Sequence, residues 1–306
     1  MNSHSRSVSP SYVTLPESGD FATVYEFVLF RFPRISESVW RERIELSKVH
    51  FDDGELIGLA TPYQAHRRLC YYREVINELK IPFVEEVLFE NDDFLVVDKP
   101  HFLPVHPVGK YVNETLISRL RTKVGCEELS SAHRIDRSTA GLVLCVKSRE
   151  KRGLYQQLFK DGAVKKIYLA AGKLPLETGQ THWHIQARME PRDDYFRMQI
   201  VPGGPVNSES LIDLTERHGE IGLFRLQPVT GKKHQLRVHL CEIGSGILND
   251  PLYPDCLDAE SPDDYQRPMQ LLAHRLEFTD PVSGKPMEFR SRLSLQSFVA
   301  EGSGSW

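Results

Sequence analysis

The densest run of chemically able side chains is His133-Arg134-Ile135-Asp136-Arg137-Ser138-Thr139, which ends in Ala140-Gly141 and runs into the apolar stretch GLVLCVKS. A carboxylate between two arginines, on a loop at the edge of a buried strand, is expected to stay ionised with a lowered pKa. That suits a nucleophile or an anionic base and not a general acid. For an isolated RxDR, an Asp–Arg ion pair pinning a loop is the plainer reading, but three features weigh against it. The strand that follows anchors the loop rigidly. A second cluster, Thr230-Gly231-Lys232-Lys233-His234-Gln235-Leu236-Arg237, opens a helix and supplies another cation. Lys165-Lys166-Ile167-Tyr168 places a phenol among cations. A hydrolase triad of Ser138, His133 and Asp136 would need close chain neighbours to converge, which such triads rarely do.

Other chemistries lack their residues. There is no GxxxxGK(S/T), Gly244-Ser245-Gly246 has no third glycine in register, and GxSxG is absent. His182 and His184 share strand parity without a third ligand, and His234 and His239 lie on different faces of a strand or helix. No metal and no nucleotide cofactor is expected. The 5 cysteines are far apart and never form CxxC, so they read as reduced thiols of a cytosolic protein. No apolar run approaches the ~20 residues that span a bilayer, and the polar N-terminus lacks the apolar core of a secretory signal. The 306 residues carry 38 basic and 42 acidic side chains, a formal −4 that by itself argues mildly against a nucleic-acid partner. That average hides segregation, because Lys147–Lys173 holds eight basic against two acidic residues and Asp250–Arg267 one against six. A phosphate backbone responds to the local field. A solvated helix face is the plainer alternative for the basic segment.

The elements that would position these residues follow from pattern. The first 22 residues are Ser/Pro-rich and expected to be a disordered tail. Residues 23–82 read as a small module: an apolar cluster at Tyr25–Phe32, a helix from Ser36 or Ser38 with a Trp40/Ile44/Leu46 stripe, and a turn at Asp52-Asp53-Gly54. Residues 83–300 mix strands and helices, and 301–306 form a tail. Strands are expected at VLFE, FLVVDK, 141–148, VKKIYLAAGKL and around 183–189, 195–200, 211–215 and 223–229. A closing hairpin turns at Pro281–Lys285. Helices are expected at ETLISRLRTKV with Asn113 as cap and Gly125 as stop, at SREKRGLYQQLFK with Leu154, Leu158 and Phe159 inward, and at QLRVHLCEI with Leu236, Leu240 and Ile243 on one face. Strands not regularly separated by helices argue α+β with a mixed sheet.

HRIDRSTAGLVLCVKS resembles the HRLDxxTSGLLLxAK signature of pseudouridine synthases of the large-ribosomal-subunit (RluA) type. VLFENDDFLVVDKP, KKIYLAAG, TGKKHQLRVHLCEIGSGILNDPLY and LLAHRLEFTDPVSGKPMEF extend the resemblance in the right order from Phe83 to Leu295. The departures are Ala140 for serine, Lys232 for arginine, Ser245-Gly246 for a small-Pro pair and Asn249 for glycine. They touch loop geometry and substrate fit, not the reaction. FRFPRISESVWRERIELSKVHFDDGELI resembles, in its helix-helix-turn rhythm, the alpha-L RNA-binding module, with an unrelated appendage as the alternative.

The resemblance implies a pseudouridine synthase fold, with a mostly antiparallel mixed sheet flanked by helices. It implies isomerisation of uridine in a stem-loop of ribosomal or transfer RNA, with the base flipped out of its stack and no cofactor. Asp136 would be the catalytic carboxylate, acting on the ring or at the ribose. Arg237 would pair with it, and Tyr168 would lie against the uracil and help remove the carbon-5 proton. Arg134 would enter the RNA, and Leu236 would wall the uracil pocket. Arg137, Thr139, His133, His234 and Gln235 would support loop and substrate. Lys165, Lys166 and the basic segment would track phosphates. The expected partner is RNA and not a membrane, and the protein is expected to act as a cytoplasmic monomer. A non-catalytic RNA-binding protein on the same fold would be expected to have lost the aspartate or the tyrosine, and both are present. A carboxylate-dependent hydrolase is the other alternative.

Overall fold

The Thr23 side chain accepts the Glu26 N–H at 3.1 Å and so starts the first helix of the chain. The computed structural model describes residues 4–6, 10–33, 35–175, 179–194, 196–255 and 263–296. They fall into two units, Met1–Leu79 with Pro107–Glu114, and Lys80–His106 with Thr115–Trp306. In the smaller unit β1 (His4–Arg6) pairs with β5 (Glu74–Ile76). Strands β2 (Ser11–Thr14), β4 (Arg68–Tyr71) and β3 (Val49–Phe51) form an antiparallel sheet. Helices α1 (Val24–Arg31) and α2 (Glu37–Glu45) bury Phe27 and Trp40 against Leu15, Phe51 and Leu69.

Three expectations change here. Ser11–Thr14 is an edge strand and Leu15 is wholly buried, so the segment read as tail contributes to the core. Leu46 is 55% exposed. It lies six residues after Trp40, about 120° away from it around the helix, and so off the buried face. The unit ends at Leu79 and takes in Pro107–Glu114, because the Glu78 carboxylate accepts the N–H groups of Val112, Asn113 and Glu114 at 2.6–2.8 Å.

The larger unit is α+β, as expected. Its elements are β6 (Glu86–Glu90), β7 (Phe94–Lys99), α3 (Leu116–Val124), β8 (Ser130–Ser131), β9 (Ala140–Val146), α4 (Arg149–Lys160), β10 (Lys165–Lys173), β11 (His182–Pro191), β12 (Met198–Val201), β13 (Ser208–His218), β14 (Ile221–Pro228), α5 (Gln235–Glu242), β15 (Leu271–Thr279) and β16 (Pro286–Arg290). They build one 11-stranded sheet in the order β12-β11-β13-β14-β10-β15-β9-β7-β6, with β16 beside β15 and β8 beside β9. Every pairing is antiparallel except β15 with β9. Each half of the sheet is covered by one helix. Tyr155 of α4 packs with Phe94, Leu142, Leu144 and Phe278, and Leu236 and Leu240 of α5 pack with Ala170, Ile212 and Phe224.

Two helix details differ from the sequence reading. The cap of α3 is Thr115, which accepts the Ser118 N–H, and not Asn113. The buried residue of α4 is Tyr155, whose hydroxyl donates to Asp280 at 2.8 Å, whereas Leu154 is 50% exposed. Most of the acidic run at 255–264 lies outside the described residues.

The parallel seam is short, with Ala140 opposite Leu272 and Gly141 opposite Ala273. Gly141 sits at φ +109°, and a Cβ there would meet the Ala273 carbonyl oxygen at 2.3 Å. Only glycine lets the loop before β9 enter the sheet at this point. Gly141→Ala is expected to cost about 2 kcal/mol or more. The check is a lower urea midpoint at unchanged m-value.

Candidate active site

Four segments converge where the two helix-covered halves of the sheet meet: the 132–139 loop, the end of α4, one face of β10, and the 228–237 connection into α5. They line a pocket of about 550 Å³, within the range of small-ligand sites.

The 132–139 loop is held at four places. The ammonium of Lys99 reaches the carbonyls of Pro100 (2.9 Å), Leu103 (2.8 Å) and Arg137 (3.3 Å). His101 Nδ1 donates to the Ser138 carbonyl at 2.7 Å. His133 Nε2 accepts the Leu144 N–H at 3.1 Å and its ring stacks on Phe159. The Thr139 N–H donates to the Asp136 carbonyl, closing a tight turn. Lys99 is wholly buried, which lowers its pKa to about 7 while the charge of Asp136 holds it up. Three carbonyls match the three N–H groups of its protonated form.

Asp136 opens this turn, and Arg137 and Ser138 form its tip. Asp136 Oδ2 accepts from Arg237 Nη1 at 3.1 Å, and His234 Nε2 stands 4.0 Å from the same atom. Arg237 is 2% exposed and is gripped by Asp250, Nε to Oδ2 at 2.7 Å and Nη2 to Oδ1 at 2.5 Å. Burial alone would lower the pKa of this guanidinium, but the two carboxylates outweigh it and hold the charge in place. Tyr168 lines the pocket on β10, and burial together with the Asp136 charge pushes its phenol above the ordinary value. The phenol thus presents a flat ring and a hydroxyl to the pocket.

The pocket lining carries Arg134, Lys160, Lys166, Lys232, Lys233 and Arg237 against one carboxylate, Asp136. Among the described residues the side chains of Arg134, Lys160, Lys166 and Lys232 make no hydrogen bond or ion pair. Lys166 is 9% exposed, and burial lowers its pKa. Lys233 donates to the Phe196 carbonyl and lies over that exposed ring. Leu236 and Thr139 are buried in the wall. Gln235 ties down the connection before α5, bonding Thr230, Lys232, Glu209 and Ser210.

Several placements correct the sequence reading. Arg237, 101 positions away, pairs with Asp136 as the resemblance implies, and the two arginines beside Asp136 in the chain do not bond it. Of the two neighbouring arginines, Arg137 pairs with Asp263 beside Phe102, and Arg134 is exposed at the pocket. Lys165 alternates with Lys166 along β10, so it faces away and pairs with Glu277 at 3.5 Å. The basic segment 147–173 is no open phosphate track along its length. Lys147 pairs with Glu90, Lys151 with Asp93, and Arg152 donates to the Glu128 carbonyl. His133 is spent on Leu144, which leaves no triad with Ser138. Asp250 and Lys99 were assigned no role from sequence. For Lys99 a signal existed, a lysine after the apolar run FLVV in the strand FLVVDK, since a buried ammonium must find carbonyls.

Burial holds His101, His234 and His239 down to about 4 and His133 to about 3. In the unfolded chain histidine takes up its proton near pH ~6.5. Between these values the unfolded state binds more protons, so stability falls as pH falls. Urea unfolding is expected to show a loss of about 2 kcal/mol or more from about pH 7 to about pH 5.5. A flat profile would contradict the buried, neutral histidines.

Sequence and structure comparisons agree with one another. The profile of the family described as RNA pseudouridylate synthase matches residues 93–242. An uncharacterised RNA pseudouridine synthase of Synechocystis is 30% identical over 74% of this chain and 78% of that protein. The mitochondrial tRNA pseudouridine(32) synthase of Saccharomyces cerevisiae is 32% identical over 70% of this chain, but only 46% of that longer protein. The solved structure of human RNA pseudouridylate synthase domain containing 1 shares the fold, with a TM-score of 0.55 at 22% identity, over 68% of this chain and 82% of that one. The chain belongs to the RNA pseudouridine synthase family, which are isomerases.

Proposed function

We propose that the protein converts uridine to pseudouridine in a stem-loop of transfer or ribosomal RNA, with Asp136 as the catalytic carboxylate. The reaction breaks the bond between ribose C1′ and uracil N1, turns the base and joins C1′ to C5. C5 gives up a proton and N1 gains one, so the mass is unchanged. Such chemistry needs an ionised carboxylate beside the sugar and a pocket that retains the detached uracil. It also needs the nucleotide out of its stack. The observation that carries the reading is the pairing of Asp136 with the buried Arg237 in a pocket whose Arg134, Lys160, Lys166 and Lys232 side chains have no partner among the described residues.

In this reading Tyr168 and Leu236 take the two sides of the uracil, and Arg134, Lys160, Lys166 and Lys232 take the phosphates around the flipped nucleotide. Arg134, exposed beside Asp136, fills the place the base leaves. Thr139 and Gln235 shape the walls. The yeast relative, a tRNA pseudouridine synthase by its name, favours transfer RNA as the target.

Asp136→Asn keeps the shape of the side chain, and Arg237 keeps Asp250. The variant is therefore expected to fold, to lose at least about a thousandfold in rate, and to bind RNA within about tenfold of wild type. Pseudouridine is mapped by chemical adduct and sequencing in RNA from cells that lack the gene and carry either form. Sites restored by Asp136→Asn would sink the assignment. Arg134→Ala with Lys166→Ala is expected to weaken RNA binding and to flatten the log–log salt dependence by about one unit per lost phosphate contact. Unchanged salt slopes in filter binding would remove these residues from the RNA interface.

A further inference from the structure

Both groups that meet Asp136 are held by a single short loop. Asp250 accepts the Leu252 and Tyr253 N–H groups at 2.8 and 3.2 Å, and its carboxylate is wholly buried. It occupies Nε and Nη2 of Arg237, which fixes the plane of the guanidinium and leaves Nη1 to point at Asp136. Three residues on, the Tyr253 ring lies against the guanidinium at 5.1 Å and edge-on to His234. The Tyr253 oxygen accepts the Met198 N–H at 2.6 Å. Its own proton therefore has one partner, His234 Nδ1, at 2.9 Å. A ring that accepts at Nδ1 carries its hydrogen on Nε2, the nitrogen that faces Asp136 Oδ2 at 4.0 Å. Asp136 Oδ1 has no protein partner among the described residues.

We propose that the Asp250–Tyr253 loop is the positioning element of the reactive carboxylate: Asp250 aims Arg237, Tyr253 fixes His234 as the Nε2–H tautomer, and both address Oδ2. Oδ1 is thereby left as the oxygen that meets the nucleotide. The 4.0 Å gap at His234 closes to a hydrogen bond when substrate fills the pocket, as such contacts do in other enzymes. The catalytic consequence rests on the synthase reading, and the tautomer does not. Neither Asp250 nor Tyr253 touches substrate; they act through Arg237 and His234.

Two measurements separate the parts. Long-range proton–nitrogen NMR on protein labelled with nitrogen-15 histidine is expected to show His234 as the neutral Nε2–H tautomer, with mixed tautomers in Tyr253→Phe. An Nδ1–H tautomer in wild type overturns the proposal whatever the activity. Turnover is read as tritium release from transfer and ribosomal RNA transcribed with uridine tritiated at carbon 5. Tyr253→Phe and Asp250→Asn are expected to lower kcat tenfold to a hundredfold, with apparent KM for the RNA within about threefold. Asp250→Glu, which keeps the charge, should restore part of kcat. If Asp250→Asn fails to fold, Tyr253→Phe still decides, since it removes one buried hydroxyl. Variants that fold as wild type does and keep its kcat overturn the positioning role. Wild type that releases no tritium removes the reaction and leaves the tautomer result standing.

Discussion

A single buried cation joins two carboxylates, and the site depends on it. Arg237 reaches Asp250 on one side and Asp136 on the other, and it is almost wholly out of water. Taking an ion out of water costs several kcal/mol, so each charge must be matched or the structure opens. Counting Lys99 behind the loop, two cations balance two carboxylates. Removing one partner of such a buried pair costs about 3–5 kcal/mol. The arrangement therefore fixes the carboxylate and the entry into α5 together.

The scaffold around that chain is stiff for reasons that can be named. Lys99 at the end of β7 and His101 just after it hold Arg137 and Ser138 of the 132–139 turn, and His133 of the turn is held by Leu144 of β9. Gly141 sets the closest approach of β9 to β15. The turn is thus held against movement around Asp136, and in the proposed reading that fixed environment is the condition for electrostatic catalysis.

Much of this was legible in the sequence. The RxDR cluster, the strand after it, the tyrosine on the next strand and the arginine at the head of a helix all stood in recognisable text. The errors in charge pairing had one cause, which was reading partners from chain proximity. Arg137 sits beside Asp136 in sequence yet serves Asp263, and Lys165 sits beside Lys166 yet serves the other face. Asp250 was invisible as a partner because nothing local marks a carboxylate that caps its own loop and also binds a side chain from the preceding helix. The strand at 11–14 was missed because four residues of mixed polarity carry no signal until their partner, at 68–71, is known.

Among the described residues Lys147, Lys151, Arg152 and Lys165 are already spoken for by acids or carbonyls, whereas Arg134, Lys160, Lys166 and Lys232 at the pocket are not. Substrate and product of an RNA isomerisation carry the same phosphates. A surface of free cations would grip the finished molecule as firmly as the unfinished one, and the enzyme would stall on what it had made. Pairing most of the cations along 147–165 while leaving four at the pocket keeps the hold there brief and local, so each encounter can end in release.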